Sequence, residues 1–159
     1  MVRRWLPLVV VLLVGVVVGL GAFTFVYAKG YSYLSNDPSV CANCHIMDEH
    51  YASWMKSSHK TVATCNDCHT PHTPLGKYYV KAKNGFWHSF YFTTGTFPYP
   101  LRITPPNHDV VEDACRYCHE PIVESIDHGV SAMGDAEVGD GRDTFTCTRC
   151  HRYVGHWVR

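Results

Sequence analysis

The sequence predicts a mainly α protein with little regular structure, in which one N-terminal transmembrane helix carries a compact domain. Three observations predict it. Residues 5–28 form an unbroken apolar run. The rest of the chain shows neither a long amphipathic period nor an alternating strand pattern. Yet that remainder holds all 8 cysteines and all 11 histidines of a 159-residue chain, so a small body is organised by cysteine and histidine chemistry. With 14 basic and 14 acidic side chains no global charge excess points to nucleic acid, and 13% aromatic residues exclude ordinary disorder.

The anchor comes first. Arg3 and Arg4 precede the run, and the next charge is Lys29. Its length is enough, at about 1.5 Å per residue, to cross a hydrocarbon core of about 30 Å with some tilt. A cleaved signal peptide is the rival, with a cleavage site at residues 26–28, but a secretory apolar core is shorter than this one. The N-terminal arginines leave the body outside the cytoplasm by the positive-inside rule. Residues 1–29 are therefore the membrane anchor and residues 30–159 the exported domain. Gly15 and Gly19 form a GxxxG, which in a Gly/Val-rich helix reads first as lipid-facing glycine.

Beyond the anchor, short helices are expected around 45–58, 77–92 and 109–127. Residues 96–107 (TFPYPLRITPPN) contain four prolines and read as an extended crossing segment. Residues 134–143 read as a solvent loop whose spacing does not match an EF-hand. Charge is uneven. Residues 50–104 carry six cationic side chains against Asp67 alone, and residues 105–145 carry ten acids against Arg116 and Arg142. A basic half suits anionic lipid head groups and an acidic half a protein partner; two solvated faces are the plainer reading.

The cysteines fall into four CxxC pairs, each followed at once by histidine: Cys41-x-x-Cys44-His45, Cys65-x-x-Cys68-His69, Cys115-x-x-Cys118-His119 and Cys147-x-x-Cys150-His151. Zinc-ribbon spacing fits the first two pairs, and an exported body permits disulfides. Neither demands a histidine after every second cysteine, whereas c-type haem attachment does: two thiols add to the vinyl groups and the adjacent imidazole is placed for the iron. Four haems in so short a body leave too little chain for an apolar core, so the macrocycles must themselves be the core of a tetrahaem c-type domain.

A low-spin electron-transfer haem needs a second axial ligand, commonly His or Met. Outside the motifs lie His50, His59, His72, His88, His108, His128 and His156. His156 follows His151 too closely to reach round the same ring and suits another haem; His59 is a second candidate. Met47, two residues after His45, either displaces it as ligand or packs against the porphyrin.

An N-terminal anchor, four haem motifs, CxxCHxM in the first and CHxxxxH in the last together resemble the NapC/NirT family of membrane-anchored cytochrome c quinol dehydrogenases. The short length and residues 77–85 (KYYVKAKNG) are most similar to its small branch, whose members donate electrons to the pentahaem nitrite reductase. The resemblance implies Met47, not His45, on the first iron, with the other face left for menaquinol. It implies His69, His119 and His151 on the remaining irons, His156 completing the second and His59 the fourth, with the third completed by the partner enzyme. The family's quinol site has a lysine and, seven residues later, an acid. Lys77 matches the lysine, while the acid's position holds Asn84, with Gly85 allowing a tight turn beside it. An amide hydrogen-bonds a quinol hydroxyl but takes no proton, which leaves a haem propionate, neutral Lys77 or Glu49 as the base. The aromatic residues Phe86, Trp87, Phe90, Tyr91, Phe92, Phe97 and Tyr99 suit either the head-group level or haem edges. The expected activity is menaquinol oxidation at the outer face of the cytoplasmic membrane, with electrons passed to a periplasmic multihaem reductase. A donor to a nitrate or N-oxide reductase, or a carrier without a quinol site, are the alternatives.

Overall fold

The computed structural model describes residues 2–132 and 146–157, with side chains for residues 3–126 and 146–157. The segment 134–143, expected as a solvent loop, lies outside the described residues, as does the side chain of His128. The described residues are helical, with no strand among them. The chain divides into two compact units, Met1–Ser35 and Asn36–Arg159.

In the first unit, helix α1 (Val2–Tyr27) is long and apolar enough to cross a membrane. It starts before the apolar run and takes in both arginines. Lys29 ends it in the left-handed region, at φ 52°, where a helix hands over to a new direction. Gly30 follows because the Phe25 ring occupies its side-chain space: a Cβ there would stand 2.5 Å from ring carbons. Gly30–Leu34 then forms a 3-10 turn within this unit.

The second unit runs through 3-10 turns at Pro38–Asn43, His45–Met47 and Ser58–Thr61 and through helices α2 (Asp48–Trp54), α3 (Cys65–His69), α4 (Pro74–Thr94), α5 (Pro105–Cys118), α6 (Glu120–Ala132) and α7 (Cys147–Cys150). Helix α4 has Pro74 in its first turn and Gly95, at φ 68°, just past its end, the asymmetry that proline's missing N–H and glycine's backbone freedom favour. Two expectations change. The proline-rich crossing segment stops at Thr104, because Pro105 and Pro106 open α5, where the absent N–H groups have no helical partner to lose. The single helix expected over 109–127 is two, broken at His119. Pro121 cannot donate to the carbonyl four residues back, so α5 cannot run on into α6.

Side chains supply almost no core. Val80 and Ala114 are the buried apolar residues among those described, beside buried Thr70, Lys81 and Glu112. Helix α3 packs mainly on α5, and α5 also meets α7, so the second, third and fourth cysteine motifs meet around one helix.

Candidate haem-binding site

Three of the four motifs sit on α-helical turns. The single-turn helices α3 and α7, and the last turn of α5, each bring a cysteine pair at i, i+3 to one face and leave the histidine at the helix end. Helix α3 is started by a capping box: the Asp67 carboxylate accepts from the Thr64 backbone N–H and hydroxyl, both at 2.7 Å. Helix α7 is started from a distance. The Glu112 carboxylate of α5 accepts from the Cys147 N–H at 2.6 Å and the Thr148 N–H at 3.0 Å, and from the Thr148 hydroxyl.

The first motif differs. Cys44 is extended (φ −99°, ψ 118°) between two 3-10 turns, so no continuous helical turn joins it to His45. His45 is exposed and its ring meets Phe92 edge-on at 6.1 Å, whereas Met47 is half-buried.

The motifs are near neighbours. Interaction between the thiols pushes Cys41 down and Cys65 up from the ordinary thiol range. Burial raises the Cys115 thiol, with Cys147 adding to it, and Cys68 is raised by burial, then by Asp67 and Cys118. The turn holding Cys41 packs on α3, α3 on α5 and α5 on α7, so the four motifs follow one another in space in chain order.

Two motif histidines face a second imidazole. His69 and His156 stack with ring centroids 6.0 Å apart, and His59 and His119 stand 6.2 Å apart. An imidazole nitrogen binds a metal at about 2 Å, with its ring centre roughly 1 Å farther back, so two imidazoles on one ion have centroids about 6 Å apart. Both pairs have that separation. Burial, followed by the neighbouring His156, His50 and His88, lowers His69 to about 4 and so keeps it in the neutral form that ligates metal. His59 was expected on the fourth motif; the structure sets it against His119 of the third, and His151 has no such ring pairing among the described residues. Of the other histidines, His50 lies edge-on to His156 at 5.0 Å with a buried Nδ1 that meets no protein partner, and His72 stacks on Tyr117. His108 bonds the Thr148 hydroxyl at 2.9 Å. Paired thiols, opposed imidazoles and a near-absent side-chain core are what covalently held haems require, and the residues fit the group.

Lys77 and Asn84 lie on α4, two turns apart. Lys77 is half-buried, and the Asn84 carbonyl oxygen accepts from the Asn107 amide at 3.2 Å. The expected tight turn at Gly85 is absent, since Gly85 is inside α4. Sequence reasoning missed Lys81, one turn after Lys77 and only 7% exposed. Burial, then Lys77, lowers its pKa, while the nearby Cys41 raises it. Its charge is felt at Cys41 of the first motif, and nothing in the sequence separated it from the half-buried Lys77. Glu49 lines a cleft of about 540 Å³ with Lys56, Tyr153 and Trp157. The aromatic residues Phe86, Trp87, Phe90, Tyr91 and Phe92 line the C-terminal half of α4 and are exposed.

An apolar anchoring helix and CxxCH motifs in a body almost without side-chain core define a membrane-anchored c-type cytochrome. The model of the NapC/NirT cytochrome c family, N-terminal region, matches residues 1–159, and the chain belongs to that family. It carries covalently bound c-type haem accordingly. It is 34% identical to the cytochrome c-type protein NrfH of Wolinella succinogenes over 87% of this chain and 80% of that protein. It is 32% identical to the cytochrome c nitrite reductase subunit NrfH of Nitratidesulfovibrio vulgaris over 81% of this chain and 72% of that protein. Among solved structures it is similar to a chain of the cytochrome c nitrite reductase NrfHA complex bound to the HQNO inhibitor. That match has a TM-score of 0.56 and 27% identity, and covers 89% of this chain and 87% of that chain.

Proposed function

We propose that the chain is a single-pass, tetrahaem membrane cytochrome that oxidises menaquinol at the outer face of the cytoplasmic membrane and delivers electrons to the catalytic subunit of a periplasmic nitrite reductase. Residues 1–29 anchor it and residues 30–159 hold the haems. One observation carries the reading: the first motif differs from the others just where a substrate has to reach a haem. Its Cys44 is extended, its histidine faces a phenylalanine, and the charge of a buried lysine is felt at its Cys41. The second and third motifs, by contrast, have imidazole pairs at ligation distance.

Haem iron, when bound, supplies one-electron exchange; the protein supplies the rest. Met47 would hold the first iron in place of His45. His69 with His156 would hold the second and His119 with His59 the third, while His151 would hold the fourth. Lys77, Lys81, Asn84 and His88 fall at i, i+4, i+7 and i+11, one stripe of α4. The Lys81 ammonium holds a quinol oxygen, Asn84 orients the ring, and His88, whose pKa desolvation lowers, accepts a proton that an amide cannot take. The exposed aromatic face of α4 suits the head-group level, where a lipid-dissolved quinol arrives.

The test is rapid mixing of the purified, haem-loaded protein with a menaquinol analogue. Haem reduction that HQNO blocks is the expected result. A protein that stays oxidised while a chemical reductant still reduces all four haems is a carrier without a quinol site, and the reading fails.

A further inference from the structure

Building on the tetrahaem reading, we propose that Glu112 is a positioning residue. It locks the third and fourth haem motifs into one unit, and its buried charge lowers the reduction potentials of the two haems attached there.

Glu112 lies one turn before Cys115 on α5, and all three of its hydrogen-bond donors belong to α7, 35 and 36 residues away. It therefore ties the helix that carries the third cysteine pair to the helix that carries the fourth. His108, one turn earlier on α5, bonds the same Thr148 hydroxyl at 2.9 Å and comes within 3.6 Å of the carboxylate. A four-residue helix is ordinarily capped by the residue before it. Thr146 holds that position and its side chain makes no capping bond. A local serine or asparagine would have met the same need, without taking a carboxylate out of water, which is costly. Glu112 is 8% exposed all the same. Burial acts to raise its pKa, but the bonds from Thr148 and Cys147 outweigh burial and hold it below the usual carboxylate range, so it is ionised at neutral pH. The same charge acts on the Cys115 and Cys147 thiols, the attachment points of the two haems.

Reduction of a haem adds one electron to the iron and removes one positive charge. A fixed negative charge nearby opposes that step by Coulomb repulsion, more strongly where water is excluded. Glu112 therefore biases both C-terminal haems toward the oxidised state.

The experiment is a spectroscopically resolved redox titration of the full-length, haem-loaded protein, with parent and variants held at one pH. Glu112→Gln keeps the size and one acceptor but removes the charge. Two of the four couples should become easier to reduce by about tenfold in equilibrium constant, ~59 mV for a one-electron couple, with the other two unmoved. Thr148→Val removes a donor and keeps the charge, so its potentials should stay parental while the α7 amides exchange faster with solvent. Four unmoved couples in Glu112→Gln, or the same shift in Thr148→Val, would overturn the proposal. If Glu112→Gln assembles poorly, Glu112→Asp decides the matter: near-parental potentials support the charge, and a tenfold shift refutes it.

Discussion

Two lysines one turn apart on α4 show how much a single residue's surroundings matter. Lys77 keeps contact with water, and Lys81 has almost none. A buried ammonium is desolvated, and that cost is sustained only where partners or function hold it. Lys81→Met preserves most of the volume and removes the charge, and should slow quinol oxidation at least tenfold. Lys77→Ala, on the wetter side, should change it less than threefold. Steady-state oxidation of a menaquinol analogue, with total haem content as the control for folding, checks both. Equal losses in the two variants would return the role to Lys77, the lysine that family spacing picks out. The two share a helical face, so periodicity could not rank them; only the burial of Lys81 does.

At the scale of elements, the opposed imidazoles make a spectroscopic prediction. His59→Ala should convert one low-spin haem to high-spin, and that haem should be the one on Cys115 and Cys118. His156→Ala should do the same to the haem on Cys65 and Cys68. Met47→Leu should alter a third signal and leave both of these alone. Low-temperature EPR with haem-by-haem assignment reads all three, and a His59→Ala change at the fourth haem would contradict the pairing. What the sequence made legible follows from range. The anchor is a local apolar run, and each CxxCH is five consecutive residues, so both could be read directly. Helix ends set by Pro105 and Pro121 are within reach too, but Pro105 reads as part of an extended segment and Pro121 falls inside the single helix expected over 109–127. The pairing of His59 with His119 spans 60 residues of chain and depends on how α3 lies on α5, which no local pattern encodes. Glu112 looked like one more acid in an acidic half until the fold turned it onto α7.

Over the whole molecule, the second unit has Val80 and Ala114 as its buried apolar residues among those described. A body of that size without more buried surface cannot offset its chain entropy from side chains alone. Chain produced in a host that does not attach haem should therefore show helicity from α1 and little else, with no cooperative thermal transition by circular dichroism. A haem-free protein with a sharp transition would show that side chains suffice after all. The neighbouring motifs lead further, to the order of biosynthesis. The turn holding Cys41 packs on α3, which holds Cys65, and α5, which holds Cys115, packs on α7, which holds Cys147. At the oxidising face to which the proposed function assigns the domain, free thiols in neighbouring motifs would cross-link and trap the chain. Each sulfur must already be a thioether when its neighbour arrives. Maturation thus has to run ahead of collapse, with covalent attachment made on an open chain and the final shape taken only afterwards.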